Sequence, residues 1–127
     1  FGEEAMPLDE LRERIRAGIA RGDMAFFCAG EGPDGFAQLA FQPSLYSDRP
    51  NAYLGELWVR PERRGHGLGR ALLEAAMQEA RARGCDHMDL TTSMDDDAAR
   101  ALYESAGFTN KEGDPDGPLM VYYERDL

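Results

Sequence analysis

The sequence is short of the features that mark several large classes of protein. It has two cysteines, Cys28 and Cys85, and two histidines. Two cysteines are too few for a disulfide scaffold or a zinc site. Both lie among apolar or small neighbours, which reads as reduced core thiols in a cytoplasmic protein. No apolar run approaches the ~20 residues needed to span a bilayer, and no secretory apolar region opens the chain. Basic residues are scarce: 14 Lys and Arg stand against 24 Asp and Glu, a formal net charge of −10. That balance argues against nucleic acid and anionic membranes as partners and favours cationic ligands. No spaced set of His, Cys and carboxylate residues suggests a metal site.

What remains is an ordinary soluble chain. Its 127 residues are 43% apolar and 30% charged. A chain of this length makes one domain and hides roughly two thirds of its unfolded surface. The spacing of Leu8, Leu11, Ile15 and Ile19 predicts a helix over Leu8–Ala20, with Pro7 near its start. Met24–Ala29, Phe36–Tyr46 and Ala52–Val59 read as strands joined by the turns Gly30–Gly35 and Asp48–Asn51, hence an antiparallel meander. Pro43 marks a bulge or an end within the second. Leu68–Arg83 is a helix with Leu72, Leu73, Ala76, Met77 and Ala80 on one face and Gly84 as its left-handed cap. Asp86–Thr92 follows as a strand, so the third and fourth strands should be parallel neighbours across a helical crossover. A second helix over about Asp97–Ser105, capped by Asp95 or Asp96, ends at Gly107. Phe108–Lys111 and Leu119–Arg125 read as a closing hairpin across the turn Gly113–Pro118. The expected fold is α/β (α+β): a mixed, mostly antiparallel sheet with helices on both faces.

The sharpest local feature is Arg60-Pro-Glu-Arg-Arg-Gly-His-Gly-Leu-Gly-Arg70. It follows a strand and opens a helix. Gly65, Gly67 and Gly69 leave main-chain N–H groups unobstructed, and the helix dipole adds positive charge there. Arg60, Arg63, Arg64 and Arg70 reverse the acidic balance locally. Such an elbow suits a polyphosphate. It lacks the Gly-Lys-Ser/Thr of a Walker loop, and the third glycine of a dinucleotide fingerprint is displaced by Arg70 or Leu72. By spacing alone, a plain arginine-rich turn also fits.

Arg64-x-x-Gly67-x-Gly69 resembles the acyl-CoA pyrophosphate loop of the GNAT superfamily of N-acyltransferases. Leu57-Trp58-Val59-x-Pro61 looks like the end of that family's fourth strand. Asp96-x-x-Ala99-x-x-Leu102-Tyr103-x-x-x-Gly107-Phe108 is similar to its second signature, and Val121–Leu127 to its closing strand. The resemblance covers the chain from about residue 24 to its end. Relative to the family pattern, an opening strand and helix are missing or shortened before Leu8, which bears on the loop that faces the acceptor.

The resemblance implies an acetyl-CoA-dependent N-acetyltransferase that works by direct attack of a primary amine. It implies a central parallel strand pair that splays, with the pantetheine arm in the gap. The backbone of Trp58 and Val59 would hold that arm, and the amides of Arg64, Gly65, His66, Gly67, Leu68, Gly69 and Arg70 the diphosphate. An extended amide chain pairs with a strand edge as a peptide does. Tyr103 is the implied general acid, since a phenol is protonated at neutral pH and can give its proton to the departing sulfur. By periodicity alone Tyr103 is an ordinary core aromatic.

An alkylammonium is only ~0.1% free base at pH 7. Glu56 is therefore the candidate helper, through a water relay or a more basic carboxyl; a solvent-facing strand Glu is the plainer reading. Asp96 stands where the family often has Asn. It either accepts from a pantetheine amide or simply caps its helix. His66 could touch phosphate or be a solvated loop residue, and His87 reads as structural. Tyr46, Tyr53 and Trp58 are aromatic candidates for an acceptor pocket, although strand aromatics ordinarily pack. The acceptor is expected to be a small-molecule or peptide amine; a homodimer stays open. The competing readings are a non-catalytic acyl-CoA-binding or sensing module of the same fold and, on the Gly-rich turn alone, a nucleotide-binding domain of another kind.

Overall fold

The computed structural model describes residues 7–30 and 34–127. The chain forms two compact units, one ending at Leu90 and the other running from Thr91 to Leu127. The expected turn over Gly30–Gly35 lies partly outside the described residues.

The first unit carries helix α1 (Leu8–Arg21), strands β1 (Met24–Ala29), β2 (Gly35–Gln42) and β3 (Asn51–Val59), a 3₁₀ turn (Pro61–Arg63), helix α2 (Leu68–Ala82) and strand β4 (His87–Leu90). The sheet order is β1-β2-β3-β4. The first three strands form the antiparallel meander, and β3 pairs with β4 in parallel. Strand β2 stops at Gln42, before Pro43, because proline has no N–H to continue a ladder.

Alternation along the strands sorts the sheet into two faces. Ala25, Ala37, Leu39, Ala52 and Leu54 are buried, and α2 covers that face with Leu72, Leu73, Ala76 and Ala80. The small residues let the helix approach closely: a β-carbon on Gly35 would press on the Leu72 side chain. Leu39 and Leu73 are fully buried, and truncating either to alanine would cost about 2–5 kcal/mol. Gly84 adopts φ 84° as the left-handed cap of α2. Arg83 ties this end down, lying 4.2 Å over the Phe41 ring and donating to the Gly22 carbonyl at 3.1 Å.

Met24 alternates with Ala25 and so points to the opposite face. There its side chain meets Gly18 of α1. Gly18 is the buried residue of α1, while Leu8, Leu11 and Ile19 stay largely exposed. The apolar spacing of α1 thus predicts the helix but not a buried stripe. Cys28 also differs from the core position expected of it. It is exposed, because it lies on an edge strand and on the face away from α2, whereas Cys85 is buried.

The second unit holds helix α3 (Asp97–Ser105). Gly107 at φ 95° ends it, and Phe108 N–H returns to the Tyr103 carbonyl at 3.0 Å. The two closing strands expected over Phe108–Lys111 and Leu119–Arg125 do not form as a ladder. One antiparallel bridge joins Lys111 to Leu119, and Met120 N–H reaches the Asn110 carbonyl at 2.8 Å. The turn between them folds on itself: Asp114 accepts from Asp116 N–H on its side chain and from Gly117 N–H on its carbonyl. Pro115 and Pro118 supply no donors, and an isolated two-stranded hairpin is marginal in water. Val121, Tyr123 and Leu127 remain exposed beyond it.

Candidate active site

The site in the first unit begins with an irregularity in β3. Gln38 pairs with Glu56 and Leu39 with Leu54, so Gly55 is an extra residue, a β-bulge. The parallel pairing with β4 runs only from Asn51 to Leu54 and ends at this bulge. Beyond it, Gly55–Val59 keeps β2 on one side, and no named strand among the described residues pairs with the other. The phase of the β2–β3 ladder follows from Arg60 N–H, which donates to the Asp34 carbonyl at 2.7 Å. Alternation then turns the backbone of Trp58 toward β2 and that of Leu57 and Val59 toward the open edge.

That edge leads into the elbow. Arg64 Nε donates to the Val59 carbonyl at 2.9 Å, folding the loop back over the strand end. Gly65 and Gly67 adopt φ 80° and 84°, and nothing lies within 4 Å of where their β-carbons would be. Those torsions are cheap only for glycine, and the open space leaves the peptide groups accessible. Gly67 is the N-cap of α2 and has no side chain to cap with, and the first turn of α2 has no acidic residue. The first amides of a helix have no intrahelical acceptor, and Gly67 has no side chain to offer them one. His66 is exposed in the loop.

Asp34 was not legible as part of this region. Its largely buried carboxylate lies 3.9 Å from both Arg60 and Arg63. It holds two of the four elbow arginines by loose ion pairs while its carbonyl anchors Arg60 N–H. The signal in the sequence was only an aspartate in a glycine-rich turn.

The face of the sheet away from α2 carries Phe36, Gln38, Tyr53, Glu56 and Trp58, by register. Glu56 is exposed, Tyr53 half-buried, and Trp58 38% exposed with its ring tilted on Phe36 at 6.0 Å. Tyr46 lies outside this group, almost fully exposed in the β2–β3 turn. A shallow open hollow lined by Phe41, Pro43, Ser47 and Arg49 lies at that same turn, at the start of β3 rather than its elbow end.

Asp96 and Tyr103 belong to the second unit. Asp96 caps α3: its Oδ1 accepts from Ala99 N–H at 3.1 Å. Tyr103 is buried, its ring set edge-on to Phe108 at 6.1 Å. Burial pushes the Tyr103 phenol above its ordinary value, and the Asp96 charge adds to the rise. The phenol therefore keeps its proton through the neutral range. Among the described residues no cluster of His, Cys, Asp and Glu could hold a metal ion, and no helix is long and apolar enough to cross a membrane.

A bulged strand that parts from its parallel neighbour and leads through a glycine elbow to a helix N-terminus is the arrangement at this end of the sheet. The chain belongs to the acetyltransferase (GNAT) family, whose model matches residues 2–108. It is 38% identical over 108 residues to a mycothiol acetyltransferase of Beutenbergia cavernae, covering 83% of this chain and 35% of that protein. It is 30% identical over 125 residues to an aminoglycoside N(6')-acetyltransferase type 1 of Stenotrophomonas maltophilia, covering 95% of this chain and 76% of that protein. A crystal structure of an Arthrobacter sp. FB24 protein classed as an acetyltransferase is 42% identical, with TM-score 0.88, covering 100% of this chain and 81% of that one. The chain thus spans about a third of the first of these relatives.

Proposed function

We propose that this chain is an N-acetyltransferase that moves the acetyl group of acetyl-CoA to a primary amine by direct attack. The observation that carries this reading is the edge of β3 from Gly55 to Val59, which has no strand partner on that side among the described residues and leads through the glycine elbow to the N-terminus of α2. The residues fit acetyl-CoA. Leu57 and Val59 offer main-chain groups along the open edge to an extended amide chain. Leu57 thus joins Val59, while Trp58, whose backbone turns to β2, contributes its ring on the other face. The amides from Arg64 to Arg70, opened by Gly65 and Gly67, suit a diphosphate.

Acetyl-CoA supplies the thioester whose acetyl carbon the amine attacks. The N–C bond forms, the C–S bond breaks, and two protons must be placed. Glu56, exposed beside the bulge, takes the proton of the attacking nitrogen through water. Tyr103 gives its proton to the leaving sulfur and regains one from solvent. Burial keeps the phenol protonated at neutral pH, so the proton is there to give, while the raised pKa makes it a weaker donor than a free tyrosine. Asp96 serves mainly as the helix cap, leaving its other oxygen for a pantetheine amide.

The acceptor is a small-molecule amine or a peptide amine. The curated relatives bear the names of mycothiol and aminoglycoside acetyltransferases, and the net charge of −10 favours a cationic acceptor. The test is thiol release from acetyl-CoA against a panel of primary amines. Turnover well above hydrolysis is expected. Tight CoA binding with no turnover would favour the sensing module instead.

A further inference from the structure

Gly55 poses a question that its backbone does not answer. It is not among the glycines with positive φ, so torsion does not demand glycine there. What lies against it is Gln38. A β-carbon at Gly55 would collide with the Gln38 carboxamide, whose oxygen is its nearest atom. Gln38 is the register partner of Glu56. It alternates with Ala37 and Leu39, both fully buried toward α2, so it lies on the opposite face with Glu56. The Gln38 side chain thus reaches over the bulge on the face that Glu56 shares, and the residue is half-buried.

We infer that Gln38 binds the acceptor nitrogen, its carboxamide accepting one N–H of the attacking amine while Glu56, through water, takes the other proton. This rests on the reading of Glu56 given above. A primary amine ready to attack has two N–H groups and one lone pair. The nitrogen attacks only if that lone pair points at the thioester carbon. One acceptor leaves the amine free to rotate about its hydrogen bond; two acceptors on one face fix it. Gln38 can do this at any assay pH, because a carboxamide does not titrate. Only one N–H proton is removed in the step, so a neutral acceptor beside a carboxylate suits the chemistry better than two carboxylates would. A secondary amine has a single N–H once deprotonated and cannot satisfy both groups. The geometry therefore selects primary amines.

The experiment uses the full chain, acetyl-CoA and three primary amines (a diamine, an aminoglycoside and a dipeptide), each beside its N-methyl counterpart. The wild type should prefer each primary amine that it turns over. Gln38→Leu, similar in size but without an acceptor, should lower kcat/KM for that amine about tenfold and erase the preference, with KM for acetyl-CoA within about twofold. Gln38→Glu restores an acceptor and should restore the preference. If Gln38→Leu keeps the wild-type preference, the inference is wrong although the acetyltransferase reading stands. If the wild type turns over none of the amines while Glu56→Gln binds CoA normally, the acetyltransferase reading fails and this inference falls with it.

Discussion

Helices α2 and α3 begin in opposite ways. Helix α2 starts at Gly67 in the left-handed region, with no side-chain cap, no acid in its first turn and four arginines between Arg60 and Arg70. Helix α3 starts at Asp96, which caps Ala99 N–H itself, with Asp95 before it and Asp97 in its first turn. Every helix N-terminus has unsatisfied amides and a partial positive charge. In α3 the chain satisfies them from within, and the added negative charge acts on Tyr103. In α2 the cap residue has no side chain to offer, and the diphosphate proposed above would meet those amides instead.

The largest expected effect tests what α3 holds in place. Tyr103→Phe keeps the ring packed edge-on against Phe108 and removes only the hydroxyl. It should lower kcat by roughly 10²–10³-fold, the range for a lost general acid, with CoA affinity unchanged by calorimetry. A variant within a few-fold of wild type would show that α3 supports packing and not proton transfer.

The next prediction makes α2 resemble α3. Gly67→Asp sets a carboxylate where the diphosphate is proposed to bind, and Gly67→Asn is its neutral control. Both residues enter the left-handed region more easily than others do, so the pair separates charge from backbone strain. The Asp variant should bind CoA at least about tenfold more weakly than the Asn variant, the size of one lost charge-assisted hydrogen bond. Added salt should narrow the gap. Equal affinities would mean that the diphosphate does not sit at this helix end.

These two helix ends also show what sequence reveals and what it hides. The glycine elbow, the Asp96 cap, the left-handed Gly84 and Gly107 and the parallel β3–β4 pair were legible, because each depends on local chemistry or on one helical crossover. The bulge at Gly55 was not. Nothing near Tyr53-Leu-Gly-Glu marks an extra residue until the partner strand is known, and that one residue decides which backbone groups face the open edge. Asp34 and Gln38 were hidden for the same reason: their partners, Arg60 and Gly55, lie across the β2–β3 pairing. The closing strands were over-read, because Val121-Tyr-Tyr has strand propensity whether or not a neighbour is there to pair with it.

A smaller effect concerns the cap. Asp96→Ala removes the acceptor for Ala99 N–H and should destabilise the protein by about 1 kcal/mol in urea unfolding. Asp96→Ser, which keeps a capping oxygen, should recover most of that. A loss confined to activity, with unchanged stability, would move Asp96 from the helix to the cofactor.

The smallest effect separates the charge of Asp96 from its hydrogen bond. Asp96→Asn keeps an oxygen for Ala99 N–H and removes the negative charge from the region of Tyr103. Two causes raise the phenol above its ordinary value, burial first and Asp96 second. The variant removes only the second, so the alkaline limb of kcat should move to lower pH yet stay above ~10, the value of a free tyrosine. Stability carries the same sign. Below ~10 both folded and unfolded tyrosine are protonated, and the stabilising preference for the neutral phenol is fully present. As pH rises past that point the unfolded chain ionises first, and stability falls until the folded value is passed. Asp96→Asn should shorten that alkaline decline without moving its onset. If the limb stays where it is in wild type, Asp96 does not act on the phenol, and the negative cap of α3 serves the helix alone.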